Sequence, residues 1–457
     1  MEQTIYHETW SSRTAFLLAA IGAAVGLGNI WRFPYLAGSN GGSAFVVIYA
    51  VCIAAVGVPI LIAELMLGRR GRMSPVGTMS ALAREAGASR HWRGAGWLAV
   101  VTIFIAGSFY YVVASWVLAY LMLAIRGAFS GLDGAGAVSV FESLVSDPLR
   151  MSLWFGAFMM MTVWVVASGI RSGLERAVRY MMPALFALLL VMVGYAAVAG
   201  DFSRGVSFLF HFDPSMITPT VVLAAIGQAF FTLGVAQAVM MTYAAYIPGD
   251  VNLGRSAVVI AVADLLVALL AAMMIFPVVF ANDLAPDSGP GLIFETLPVA
   301  FGQMPGGRVF ASLFFLLVTL AALTSTISGV EPIVSWAEER RGANRRRVAI
   351  LVGIALWIVG LASVFSFNVW SGFKPLAAFA ILRDKTIFEL LEYLAVNILM
   401  PLNGLLIAVF AGWVMSRSAM LDELRVRDAG TFLVLRFLLR YVAPIAILAI
   451  FWSNLGA

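Results

Sequence analysis

Charge is what this sequence has least of. Of its 457 residues only 12% are charged, against 62% hydrophobic, whereas a water-soluble domain carries about 25% charged residues. No soluble fold could hide that much apolar side chain, so the surrounding solvent must be a bilayer. Alternating strand-like segments are also missing, which favours a helical bundle over a barrel. Cysteine is nearly absent: Cys52 stands alone in an apolar stretch, so no disulfide framework forms within the chain. The three histidines are scattered at His7, His91 and His211. Neither an HExxH metal motif nor a glycine-framed nucleophile occurs, so an intramembrane enzyme lacks its machinery. A GxxxxGK(S/T) phosphate loop is missing too, which argues against ATP-driven pumping. The first residues, MEQTIYHETWSSR, are polar and precede no short apolar core, so they read as a mature cytoplasmic tail and not a signal peptide.

What is present is one apolar run after another, each near the 20 or so residues that cross a bilayer. Eleven spans are expected, at about 13–37, 42–68, 93–126, 151–169, 177–199, 219–247, 255–281, 307–338, 347–367, 387–415 and 432–454. The net charge of +5 and pI near 9.5 follow from topology and do not call for nucleic acid. Arginines crowd alternate loops: Arg69, Arg70, Arg72, Arg84, Arg90 and Arg93 after span 2, Arg171, Arg176 and Arg179 after span 4, Arg340, Arg341, Arg345, Arg346 and Arg347 after span 8. The loops between them carry acids such as Asp133, Glu142, Asp283 and Asp287. By the positive-inside rule the amino terminus is cytoplasmic and the carboxyl terminus outside. The loop near 282–306, with GLIFETLPVAF among four prolines, is expected to fold as a short helical hairpin over the bundle.

Two spans look interrupted. Span 1 holds Gly22, Gly26 and Gly28 within seven residues, and span 6 has Thr232 and Gly234 at its middle. Either alone reads as a close-packed helix. As the first and sixth of eleven they occupy matching places in two halves, which is the sequence sign of a transporter site. A broken membrane helix frees carbonyls and amides that lipid cannot satisfy. The carbonyls suit a cation and the amide ends suit a carboxylate.

The residues that form the breaks are also the familiar ones. WSSRTAFLLAAIGAAVGLGNIWRFPYLAGSNGGSAF (Trp10 to Phe45), GQAFFTL (227–233) and ALTSTISGVEP (322–332) closely resemble the neurotransmitter:sodium symporter family. PILIAELMLGR in span 2 and FYYVVASW in span 3 extend the likeness over essentially the whole chain, and ending after eleven spans resembles the short bacterial members. The resemblance implies an all-α polytopic membrane fold of two inverted five-helix repeats. Residues 1–12 would be the cytoplasmic tail, 13–199 the first repeat (helices 1–5), 219–415 the second (helices 6–10) and 416–457 a cytoplasmic loop with helix 11. It implies a bacterial inner-membrane symporter working by alternating access, with sodium (two ions) and a small-molecule amino acid as its partners besides lipid. No nucleic acid and no obligate protein partner is expected.

Carried over by resemblance, sodium site one uses the Ala24 carbonyl, Asn29, Thr232 and Asp264, completed by the substrate carboxylate. Site two uses carbonyls of Gly22, Val25 and Ala321 with hydroxyls of Thr324 and Ser325, hydroxyls that could instead bond back to their own helix. Asp264 departs from the asparagine that many members place beside chloride, and Gly234 and Ala268 replace frequent serines. Transport is therefore expected to need no chloride. Return of a proton on Asp264 is a further possibility. Gly26 stands where monoamine carriers place aspartate, which leaves room for a substrate's own carboxylate, with Tyr110 donating to it. Ala23, Ala106, Phe231, Ala236, Gln237, Thr326 and Gly329 would line the side-chain pocket, with Gly28, Thr232 and Gly234 adjoining. Its small residues imply a hydrophobic or aromatic L-amino acid, and Gln237 admits a polar tip.

For gates, the resemblance pairs Arg32 with Glu392 on the outside, above Phe231 and Tyr110, with Glu389 one turn away as a lesser candidate. Inside it gives Trp10, Glu339 and Tyr246. His7 replaces the usual basic residue of the inner latch, leaving either a pH-sensitive latch or a role for Arg13 and its neighbours. Gly173 and Pro183 mark a fifth helix that unwinds in relatives. Glu64 reads either as an electrostatic aid to the ions or as a structural carboxyl bonded to the broken helix; Glu331 is unassigned. Rival readings are a sodium- or proton-coupled carrier of another zwitterion, or an amino-acid sensor that binds without transport.

Overall fold

The computed structural model describes residues 8–249, 251–286, 291–341, 343–426 and 428–456. His7 lies outside them. Among the described residues there is helix and no strand. Nine helices among the described residues are long and apolar enough to cross a membrane, from Ser43–Gly71 to Ala429–Ser453. A tenth span is a bent pair, Arg13–Ala24 and Gly28–Ser39, turned by 49° at the break. The remaining expected span, the sixth, is two pieces each too short to cross alone: Pro219–Thr232 and Val239–Ala245.

Small residues decide which helices meet. The third helix, Arg93–Ile125, pairs most extensively with the eighth, Gly307–Arg341. A Cβ at Gly329 would lie 2.7 Å from the Tyr111 hydroxyl, so the glycine sets that approach. At Gly68 a Cβ would run into the Met241 carbonyl, so this glycine lets span 2 touch the inner half of the sixth span. The fourth and ninth helices, Pro148–Ala167 and Arg345–Phe365, lie at the edge and turn Leu153, Met160, Trp164, Leu351 and Ile358 outward. Lipid, and not water, is the medium that suits such faces.

The structure amends four expectations. The fifth span begins at Ile170, so Arg171, Arg176 and Arg179 ride on its first turns, and Arg345 to Arg347 open the ninth helix. The stretch 170–199 is continuous, with Gly173 in its π-helical first turn and Pro183 inside it, so no unwinding lies between them. The expected hairpin is a single helix, Leu292–Thr296 continued by Leu297–Gln303. Its Phe294 is buried among Trp31, Trp116, Tyr120 and Phe141, which anchors the segment over the bundle.

Candidate functional site

The two breaks face each other at the centre of the bundle. Val25 ends the first half-helix in extended conformation, and its N–H still bonds to the Ile21 carbonyl. In the sixth span Gly234, Ala236 and Ala238 all adopt positive φ, at 60°, 65° and 64°. For the two alanines this left-handed backbone costs about 1–2 kcal/mol each, so the surroundings must hold it. Glu64, fully buried, accepts the Ala236 and Met241 N–H groups, and Asn403 donates to the Ala236 carbonyl at 2.8 Å. A Cβ on Gly404 would run into the Phe230 ring and meet the Ala236 methyl only in ordinary contact at 3.4 Å, so that glycine makes room for Phe230. Of the two readings of Glu64, the geometry displays the structural one.

Against the break, a buried oxygen cluster forms. Asn29 donates to Asp264 Oδ1 at 2.7 Å, to the Asp264 carbonyl at 3.1 Å and to Thr232 Oγ1 at 3.0 Å. Its own Oδ1 accepts from Gly26 N–H at 3.0 Å, pinning the entry to the first break. Thr232 Oγ1 lies 3.1 Å from both Asp264 carboxylate oxygens, and Tyr49 donates to Oδ2 at 3.3 Å. All four side chains are buried. Carboxylate, hydroxyl and amide oxygens are hard donors, the kind a small alkali cation takes, and the carboxylate offers it a compensating charge. Nearby, Gln228 donates to the Gly28 carbonyl at 2.8 Å, supporting the break from the sixth span. Ala268 is buried and brings no hydroxyl.

The second oxygen group spans the first and eighth helices. Ser325 donates to the Val25 carbonyl at 3.2 Å. Thr324 bonds back to its own helix, to Ala321 O at 2.9 Å and Leu320 O at 3.2 Å. A Cβ on Gly22 would lie 2.9 Å from Met182 Sδ, so the glycine admits the fifth span there, while Thr324 Cβ would stand in ordinary contact at 3.4 Å.

Between these groups lies a cavity of about 70 Å³ bounded by Ala23, Gly26, Ala106, Tyr110, Phe231 and Gln237, among others. Ala24, Gly28, Thr232, Gly234 and Gly329 also reach it. Two expected members do not. Ala236 turns toward Gly404, because Glu64 and Asn403 hold its peptide. Thr326 faces the fourth helix, where its hydroxyl meets Thr162 Oγ1 at 3.1 Å. In their place Ile103, Phe109, Tyr111, Val239, Val396 and Met400 line the wall; apolar residues inside apolar spans give no sequence signal of facing a cavity. The Tyr110 hydroxyl accepts the Leu27 N–H at 3.3 Å, lies within hydrogen-bond reach of the Ser325 hydroxyl and borders the cavity. Gly26 is required here: a Cβ would lie 3.0 Å from that hydroxyl and collide with Ser325 Oγ.

Above it a larger cavity of about 650 Å³ opens, and Gly28, Phe109, Tyr110, Phe231 and Val396 border both. Arg32 and Glu392 face this space but form no ion pair within 4.0 Å among the described residues, so the expected outer pair is apart in this conformation. The Arg32 guanidinium instead rests 4.4 Å over the Phe231 ring. Glu389 is occupied in a capping box with Thr386, accepting its N–H at 2.7 Å, and so caps a helix instead of gating.

The arginine-rich side is packed shut. Trp10 is buried and donates from Nε1 to Tyr243 O at 2.9 Å. Tyr246 donates to Glu331 at 2.9 Å, and Glu331 pairs with Arg345 at 2.5 Å, which gives that unassigned carboxylate partners. Glu339 accepts the Ser74 N–H at 2.6 Å, holding the start of helix Pro75–Glu85. Arg13 does not take over the latch: its Nε is buried without a partner. The tail is clasped by the fifth span instead. Arg171 donates to Thr9 O at 2.8 Å, Glu8 accepts the Ile170 and Arg171 amides, and Ser11 bonds to Glu175. These residues were invisible to sequence reasoning because Arg171 counted as a loop charge.

Comparison with known proteins agrees with this geometry. The family model for the sodium:neurotransmitter symporter family matches residues 7–130 and 145–455. An uncharacterized sodium-dependent transporter of Bacillus subtilis is 37% identical over 452 residues, covering 98% of this chain and 97% of its own. The sodium-dependent dopamine transporter of Bos taurus is 28% identical, covering 79% of this chain and 59% of its own. Among solved structures, the crystal structure of MhsT in complex with L-phenylalanine superposes with a TM-score of 0.88 at 38% identity, over 98% of this chain and 100% of that one.

Proposed function

This chain belongs to the sodium:neurotransmitter symporter family, and from that premise we propose that it carries a hydrophobic or aromatic L-amino acid inward across a membrane with sodium, by alternating access. The observation that carries the reading is the cavity closed by Gly26 on one side and by the Asn29–Thr232–Asp264 cluster on the other. Ala24, Asn29, Thr232 and Asp264 would hold one sodium ion. Gly22, Val25, Ala321, Thr324 and Ser325 would hold a second, for which Thr324 must turn its hydroxyl away from Ala321 O.

The coupling follows from electrostatics. A substrate carboxylate accepts a hydrogen bond from the Tyr110 hydroxyl and lies at the amide end of the broken first span, where the helix dipole is positive. It then lies beside the first ion and contributes to its shell, so each ligand strengthens the other's binding. With Asp264 supplying the fixed negative charge, chloride is not required. The relative crystallised with L-phenylalanine supports an aromatic or aliphatic side chain toward Ile103, Phe109 and Val396. Closure would bring Arg32 and Glu392 together over Phe231 and Tyr110 before the arginine-rich side opens.

The test is uptake of a panel of radiolabelled amino acids into proteoliposomes, with and without an inward sodium gradient. Accumulation of a hydrophobic or aromatic member only with sodium is expected. Equal uptake without sodium would remove the ion roles and move the coupling to protons on Asp264. Binding without accumulation would make the protein a sensor.

A further inference from the structure

Three arginines gather where the tenth and eleventh spans meet the connecting helix Arg417–Leu424, away from the central site. Arg417 and Arg436 share one aromatic ring, their guanidiniums 5.6 and 6.0 Å from the centroid of Phe432. Arg440, one turn beyond Arg436, sits 4.8 Å over Trp413 and donates from Nε to the Gly412 carbonyl at 2.6 Å. Gly412 permits this approach, since a Cβ there would lie 3.0 Å from Arg440 Cγ. Arg440 and Arg417 both act on Arg436 with like charge.

Among the described residues no carboxylate forms an ion pair with them. Of the nearby acids, Glu423 pairs with Arg69 and Arg70, Asp428 accepts from the amide and hydroxyl of Thr431 at 2.6 and 2.7 Å, and Asp422 is exposed with its field on Arg70. Among the described residues Arg417 and Arg436 make no hydrogen bond and no ion pair, and Arg436 Nε is enclosed without a partner. Clustered like charges raise the energy of the fold unless an anion joins them.

The surroundings identify that anion. Arg436 and Arg440 lie seven and eleven residues past Ala429 on a helix long and apolar enough to cross a membrane, and Arg440 stands level with Trp413 at the end of the tenth span. Beside them Leu433, Val434, Phe437 and Tyr441 are exposed, and Trp413 stands at the edge as interfacial tryptophans do. A soluble anion would have to enter beside this apolar strip, whereas a lipid brings acyl chains that match it. The face is also the arginine-rich one: Glu423 of the same connecting helix pairs with Arg69 at the end of the second span. We propose that Arg417, Arg436 and Arg440 hold the phosphate of an anionic glycerophospholipid of that leaflet, with its acyl chains along the exposed strip of the eleventh span.

The test is native mass spectrometry of the full chain, titrated with phosphatidylglycerol or phosphatidylcholine in detergent. One phosphatidylglycerol should be retained in preference to phosphatidylcholine. At roughly a fivefold factor per arginine near a bilayer surface, R417Q/R436Q should weaken that binding about thirtyfold. R90Q/R93Q removes two exposed charges on the same face and should leave it unchanged. R417Q alone, at an exposed helix start, should weaken it about fivefold, so the result survives if the double variant folds poorly. Equal retention of the two lipids, equal losses in both double variants, or displacement of the lipid by millimolar inorganic phosphate would each overturn the proposal.

Discussion

At the scale of single residues, two positions carry most of the chemistry. Gly26 is a matter of space: a methyl there meets Ser325 Oγ and the Tyr110 hydroxyl, both in the way of a substrate carboxylate. G26A should therefore lower substrate affinity at least tenfold while sodium still binds, as read by equilibrium binding of the substrate and by sodium-induced thermal stabilisation. Asp264 is a matter of charge. It is buried among Asn29, Thr232 and Tyr49 with no cationic side chain beside it in that hydrogen-bonded set. D264N should raise the sodium concentration needed for half-maximal uptake by tenfold or more. The wild type should transport equally well when gluconate replaces chloride; if uptake instead collapses in gluconate, Asp264 is not the fixed charge. Both residues were legible from sequence, Asp264 because an acid inside AVADLLVALL is costly in a membrane helix and Gly26 because GLGNIWRFP carries the family resemblance that singles it out. Ile103, Phe109 and Val396 were not legible, since nothing marks which face of an apolar helix looks inward.

Among elements, the broken sixth span is the least relaxed part of the fold and the part whose support was hardest to foresee. Glycines advertise a break, but here two of the three left-handed positions are alanines. The sequence pattern therefore showed where the helix stops without showing how its backbone turns. What compensates lies far away in the chain: Glu64 from the second span and Asn403 from the tenth grip the Ala236 peptide on opposite sides. N403A would leave a buried carbonyl without its donor, a loss of about 1–3 kcal/mol. The variant should melt at a lower temperature and bind substrate more weakly, because Gln237 follows directly on the freed peptide. A lower melting temperature with unchanged substrate binding would show that the clamp stabilises the fold without shaping the pocket. The spans themselves were legible to within a few residues because apolar length alone defines them. The fifth and ninth helices were misjudged at their starts, where arginines that read as loop occupy a first turn.

For the whole molecule, the two sides are unequal. One side holds a cavity of about 650 Å³ down to Phe231 and Tyr110, with Arg32 and Glu392 apart across it. The other is sealed by Trp10 under Tyr243, by the tail clasped to the fifth span, and by Tyr246, Glu331 and Arg345 in one buried chain of contacts. The seal should set the balance between states, since opening that side must separate Arg345 from Glu331 or carry both along. Removing one partner of a buried pair leaves an uncompensated charge and costs about 3–5 kcal/mol. Opening the side lets water reach Glu331 and recovers part of that cost, so R345A should favour the state open on the arginine-rich side. Each 1.4 kcal/mol recovered moves the equilibrium tenfold. The single native cysteine makes this measurable: in a C52S background a cysteine at Ala19, fully buried in the first half-helix, reports access from that side. A membrane-impermeant maleimide should label it at least tenfold faster in R345A, and saturating sodium should slow the labelling by holding the state open on the opposite side. If labelling stays at the parental rate while the melting temperature falls, the Glu331–Arg345 pair supports the fold and does not gate it.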